Sequence, residues 1–466
     1  MEQKVVKPYH LFNHQGRWYA INIEEMCTCS IDEKTAGALT AITADPDAPI
    51  EPLMEEQLDK LGLLSIEEEQ NPKAKPGKYK EPVPVVNMTL LLTQSCNLKC
   101  VYCYGDGGKY GAGGMMEEST AFQAVDWMLE QSGKIKKLYI GFFGGEPFLN
   151  FPLMKAVVEY AEKRVQEMDK QVVSHTTTNA TLLDDEKIVF IKEHQIQVMI
   201  SFDGPQEIQD AQRPYVNGAG TYDSTVPKIR KLLAVLPEAP GHAVILGNTD
   251  PQYIKNALQE IGFEQISVMP VSQSLFQGKP GNPNSDRDTR VLLQALEEEA
   301  ETWMRLARNR DREALKSFTD KSQLYQGLIA LLHNTKRRHA CGAGLGLAGV
   351  SCTGDIYLCH RFVGQDEYKL GSVFAQGLNR EKYQKSPTTG NGKCTACFAR
   401  YYCAGGCKHD NAGSCGSISE PSEDMCRLRC RELELAATII GRLEDEDKAF
   451  LVEQQIFPPK PCPLDF

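Results

Sequence analysis

The chain has 466 residues, of which 24% are charged, with 51 Lys and Arg against 62 Asp and Glu and a formal net charge of −11. The scattered basic residues exclude nucleic acid as the main partner, and no apolar run approaches the ~20 residues that span a membrane. The start, "MEQKVVKPYH", lacks the apolar stretch of a secretory signal, so a cytoplasmic protein is expected.

In chain order, residues 1–70 read as a small separate unit. "RWYAINI" alternates as a strand does. "IDEKTAGALTAI" and "MEEQLDKLGLL" read as short amphipathic helices, the first with Asp32 as N-cap. The stretch 71–84, "NPKAKPGKYKEPVP", is rich in Pro, Lys and Gly and reads as a linker. From 85 to 335 a strand-then-helix rhythm follows. Strands are expected at 85–93, 137–143, 172–178, 196–202, 242–248 and 265–270, with helices such as 117–131 and 151–168 between them. The strands are apolar at most positions, as strands covered on both faces are. The class is α/β, a parallel sheet curled as a partial (β/α)6 TIM-like barrel, with its chemistry at the C-terminal strand ends. Residues 275–290 read as a loop and 291–333 as helical. The part from 336 to 440 is glycine-rich, with short cysteine spacings that leave little room for a conventional apolar core. Residues 441–466 form a tail ending in "FPPKPCPLDF".

The chain carries 16 cysteines. In a reducing compartment such clusters bind metal or do redox chemistry more often than they form disulfides. Cys96, Cys100 and Cys103 stand at C-x3-C-x2-C directly after the first barrel strand. A structural zinc site wants four ligands. Three thiolates instead leave one iron of an iron–sulfur cluster open to a small molecule. Ten more cysteines lie between Cys341 and Cys430, while Cys27, Cys29 and Cys462 fit no pattern and read as incidental thiols.

"CNLKCVYCYG" after strand one of a six-stranded α/β unit resembles the radical S-adenosylmethionine (SAM) superfamily. The resemblance implies a [4Fe–4S] cluster on Cys96, Cys100 and Cys103, whose fourth iron binds SAM. It implies cleavage to a 5′-deoxyadenosyl radical that takes a hydrogen atom from the substrate. "GFFGGEP" is similar to the family's glycine-rich SAM contact, with Gly144, Gly145 and Glu146. "TTTNATLL" and "SFDGP" are similar to the next strand ends, with Asn179 and Ser201 as SAM contacts, Arg213 as a further one and Tyr102 beside the adenine.

The later cysteines resemble the SPASM domain, which holds two auxiliary [4Fe–4S] clusters. That implies an outer cluster on Cys394, Cys397, Cys403 and Cys426. It implies an inner cluster on Cys341, Cys359 and Cys407, with Cys352, Cys415 or Cys430 as fourth ligand or none. His360 and His409 adjoin ligand cysteines and are expected to hydrogen-bond around them. A zinc-ribbon-like module is the alternative. The N-terminal unit is similar to the winged-helix-like domain that captures leader peptides by strand addition.

"CGAGLGLAGVSCTGDIYLCHRFVG" and "CTACFARYYCAGGC" resemble thioether-forming peptide maturases, among them those of quinohemoprotein amine dehydrogenase, with sactipeptide maturases similar. The implied reaction joins cysteine sulfur to Asp or Glu side-chain carbon in a cysteine-containing peptide or small subunit. Electrons would come from a flavodoxin or ferredoxin. A Cα thioether synthase, a formylglycine-forming sulfatase maturase and a non-catalytic iron–sulfur carrier or scaffold are the alternatives.

Overall fold

The computed structural model describes residues 4–45, 50–66, 83–271, 289–316, 322–384 and 392–459. Nearly all of the expected linker, most of the 275–290 loop, and Cys462 lie outside these residues.

The N-terminal part contains β1 (Lys4–Val6), β2 (Tyr9–His14), β3 (Arg17–Asn22), β4 (Cys27–Ile31) and β5 (Leu64–Ile66). β2, β3 and β4 form an antiparallel sheet in that order, and β1 pairs with β5. Asp32 caps the helix Glu33–Ala44 as expected, its carboxylate accepting the Thr35 N–H at 2.7 Å. Alternation along β3 gives the sheet two apolar faces. Ala20 faces the helices, packing with Leu39, Met54 and Leu58. Tyr19 and Ile21 face the other way, into a core with Trp303, Leu328, Leu433, Ala436 and Ile439. The unit that reads as separate therefore shares one of its two cores with the C-terminal helices.

β6 (Asn87–Gln94), β8 (Lys137–Gly144), β9 (Gln171–Thr178), β10 (Gln197–Ser201), β11 (Gly241–Ile245) and β12 (Ile266–Pro270) are parallel neighbours in that order, with β7 (Gly114–Met115) paired antiparallel to β6. These are the six expected strands to within a few residues. The helices Glu118–Gln131 and Phe151–Glu167 bury Val125, Met128, Val157 and Val158 in the same core as the sheet.

The C-terminal region departs from expectation. β13 (Leu347–Val350) lies parallel beside β6, Leu347 opposite Asn87, and β14 (Asp355–Tyr357) and β15 (Lys369–Ser372) follow antiparallel. Val350, Ile356, Leu358, Phe362, Leu370 and Val373 are buried in the barrel's own core. A region expected to have little apolar core has one because it borrows the barrel's first strand. No helix among the described residues is long and apolar enough to cross a membrane.

Candidate active site

Cys96, Cys100 and Cys103 sit on the loop after β6. That loop is stapled to the segment after β10. Lys99 N–H donates to Pro214 O and Val101 N–H to Gln212 O, each at 2.9 Å, and Leu98 bridges Tyr215. On its other side the end of β8 approaches so closely that only glycine fits. A Cβ on Gly144 (φ +138°) would lie 2.1 Å from Thr93 O, and one on Gly145 would lie 1.9 Å from Ser95 O. Cys96 Sγ accepts from Leu98 N–H at 3.4 Å and lies 3.9 Å from Asn179 Nδ2. Burial pushes the Cys96 thiol up to about 12 and raises Cys100 as well. Such thiols give up their protons when a metal takes the proton's place. Soft sulfurs on one loop, met by N–H donors, fit an iron–sulfur cluster.

Glu146 is 1% exposed. One carboxylate oxygen accepts from the Thr178 hydroxyl at 2.7 Å and from Phe148 N–H at 3.3 Å, and the other from Asn179 N–H at 2.8 Å. Burial nevertheless raises it to about 7. Both oxygens are engaged within the protein, which makes Glu146 an anchor between the ends of β8 and β9. Asn179, thus placed, donates through its amide to Asn97 at 3.0 Å. Ser201 ends β10 opposite His242 of β11 and is half-buried.

Tyr102 and Arg213 belong to one buried cluster. Arg213 donates to the Tyr102 hydroxyl at 2.7 Å, and that hydroxyl donates to Asp203. Asp203 also accepts from Val244 N–H at 3.0 Å and lies 3.9 Å from the guanidinium. Burial raises Asp203 while the Arg213 charge opposes it. Asp203 was legible only as part of "SFDGP"; its signal was an acidic residue at a strand end that burial would oblige to find a cation.

The C-terminal cysteines form two groups. Cys341 and Cys407 lie near enough to Cys359 to disfavour its ionisation, Cys341 does the same to Cys407, and burial pushes Cys359 up to about 12. Cys359 of this group lies near the cysteine loop, beside Tyr104. The backbones of Gly364 and Tyr110 touch, since a Cβ on Gly364 would lie 2.1 Å from Tyr110 O. Tyr104 feels the charges of Arg361, Cys359 and Cys103, and so bridges the loop and the inner group. Arg361, which sequence reasoning missed, stacks 4.9 Å over Tyr104, donates to Cys407 Sγ at 3.4 Å and pairs with Asp410 at 2.7 Å. His360 packs against Phe143 and His409 against Phe362.

Cys352 stands on the barrel wall. Its thiol donates to Leu91 O at 3.2 Å, and burial pushes it up to about 11. β13 alongside β6 carries it there. Cys394, Cys397, Cys403 and Cys426 come together as a second group, and Cys430 joins them, its Sγ 4.0 Å from Cys397 Sγ. Cys415 neighbours Cys426. Among the described residues no three Cys, His, Asp or Glu side chains converge on a single metal position. A four-iron cube seats its thiolates on separate irons and needs no such convergence.

Residues 90–261 match the model of the Radical SAM superfamily. An uncharacterized protein of Methanocaldococcus jannaschii is 39% identical over 132 residues, 28% of this chain and 43% of that protein, so the match spans under half of that relative. The serine-type anaerobic sulfatase-maturating enzyme of Bacteroides thetaiotaomicron is 25% identical over 67% of this chain and 80% of its own. Among solved structures, anSMEcpe with bound AdoMet and Cp18Cys peptide aligns over 77% of this chain and 98% of its own, at TM-score 0.61 and 20% identity. Streptococcus suis SuiB bound to precursor peptide SuiA aligns over 91% and 100%, at TM-score 0.52 and 15% identity. These structures share the fold.

Proposed function

We propose that this chain, a radical SAM enzyme, forms thioether cross-links within a peptide or small protein subunit, between cysteine sulfur and a carbon of an Asp or Glu side chain. The observation that carries the reading is the inner group. Cys341, Cys359 and Cys407 neighbour one another, Cys359 lies by Tyr104 of the cysteine loop and Cys407 by Arg361, while the Cys352 thiol donates to Leu91 O, which supports three thiols here. A cube on three thiols keeps one iron free for a substrate sulfur.

Cys96, Cys100 and Cys103 would hold the cluster that, with SAM bound, supplies one-electron cleavage to a carbon radical strong enough to break an aliphatic C–H bond. The chain's own part is positioning. Gly144 and Gly145 let the loop seat against β8, and Glu146 orients Asn179 beside Cys96. Tyr102, Asp203 and Arg213 hold the loop's far side. Arg361 places a fixed positive charge at Cys407, where it favours an added electron. Action on a peptide is supported by the names of the relatives, a sulfatase-maturating enzyme and a protein solved with its precursor peptide.

That sulfatase-maturating relative also favours a second reading, oxidation of one Cys or Ser to formylglycine. The two separate in one experiment. The holoenzyme is given SAM, a reductant or reduced flavodoxin, and cysteine-containing peptides rich in Asp and Glu. A thioether product is lighter by two hydrogens per bond and keeps that mass, with no free thiol, after reduction. A carbonyl that reacts with hydrazide means the formylglycine reading instead. A thiol regained on reduction means a disulfide and defeats both.

A further inference from the structure

Four thiols are expected around the outer cluster, and the structure assembles five. Cys426 and Cys430 lie four residues apart in the helix Glu423–Arg442, so they occupy one face, one turn apart. Cys430 Sγ stands 4.0 Å from Cys397 Sγ, and its other charged neighbours are Cys426 and Cys403. Cys426 in turn neighbours Cys394, Cys397 and Cys403. A cube takes one protein sulfur per iron, four in all. With Cys394, Cys397 and Cys403 on three irons, Cys426 and Cys430 stand on one helix face for the fourth, while Cys415 meets this group at Cys426.

We propose that Cys426 and Cys430 are alternative ligands to one iron of the outer cluster. The proposal rests on reading these cysteines as cluster ligands. The exchange balances without a redox partner. The Fe–S bond to one cysteine breaks as the bond to the other forms, the proton of the spare thiol passes to the released thiolate, and no electron moves. The two sulfurs have different surroundings. One turn beyond Cys430, Glu434 bonds His10 of β2 at 2.9 Å, and the His10 ring stacks on Phe398, next to Cys397, at 3.5 Å between centroids. Cys430 therefore lies on the side covered by the N-terminal sheet. Cys426 lies beside the exposed Lys393 and Glu423. Exchange moves the cluster's fourth ligand between the N-terminal sheet side and the side of Lys393 and Glu423, and the charges and hydrogen bonds around a ligand set a cluster's potential.

The test measures iron and acid-labile sulfide per chain, with electron paramagnetic resonance of the reduced protein, on anaerobically isolated full-length Cys426→Ala, Cys430→Ala and the double variant. Three cubes hold about twelve irons. The expected result is about twelve in each single variant, with outer-cluster signals that differ between the two, and about eight in the double variant. Loss of about four irons in either single variant alone overturns the proposal, because the remaining cysteine then does not substitute. Retention of about twelve in the double variant overturns it equally. Should an alanine variant fail to fold by circular dichroism, the Cys→Ser pair, which keeps the side-chain shape, repeats the comparison. A wild-type chain with well under twelve irons is a separate result, and it defeats the three-cluster reading itself.

Discussion

The backbone N–H of Asn179 donates to the Glu146 carboxylate at 2.8 Å, tying the end of β9 to the loop after β8. That carboxylate has an ordinary value of 4.5 and is raised by burial to about 7. The folded chain therefore keeps a proton that the unfolded chain releases between these values. Its contribution to stability is full below 4.5 and is lost as pH rises through about 7. Glu146→Gln removes this slope. The Tm of wild type minus that of the variant should fall as pH rises from 5 to 8, because only wild type loses stability across that window. A gap independent of pH would show that Glu146 does not titrate in the folded state.

Gly145→Ala places a methyl group 1.9 Å from Ser95 O and 2.8 Å from Cys96 N. Both contacts are backbone, so the cysteine loop must move. On the proposed three-cluster reading, the first cluster should be lost while those of the C-terminal groups stay, leaving about eight irons of twelve and no 5′-deoxyadenosine from SAM. Unchanged iron and SAM cleavage would mean that the loop tolerates the displacement.

Arg361→Met removes the N–H donor to Cys407 Sγ and the cation over Tyr104. A hydrogen bond from a charged group contributes about 1.5–3 kcal/mol, which for one electron is on the order of 100 mV. If Cys341, Cys359 and Cys407 hold a cluster as proposed, its midpoint potential should fall, read by redox titration followed by electron paramagnetic resonance. An unchanged potential would leave Arg361 with only its ion pair to Asp410.

Deleting residues 1–66 should not yield a trimmed soluble enzyme. Tyr19 and Ile21 are fully buried against the helix that carries Leu433, Ala436 and Ile439, and removal would bare that face. Tyr19→Ala alone should cost about 3–5 kcal/mol, seen as a large fall in Tm. A truncated chain that stays monomeric and melts as wild type does would contradict the shared core.

The sequence alone determined what depends on near neighbours. Six strands announced themselves by apolar runs between helical stretches, Asp32 by its place before a helix, and the cysteine loop by spacing. Such features form wherever the local pattern occurs, because period and capping involve residues a few positions apart. The tertiary structure alone decided which distant groups meet. Cys352 and Leu91 lie far apart in the chain and touch because β13 pairs with β6. Cys430 looks from its spacing like any of the extra thiols, and only the helix that also carries Cys426 turns it toward Cys397. Tyr102, Asp203 and Arg213 converge because burial leaves an acid and a cation little choice but each other. The N-terminal sheet shows two apolar faces in its alternation, but what covers the second face is set by helices hundreds of residues away. A thiol or carboxylate takes its role from the elements that fold around it, and no local spacing encodes that meeting.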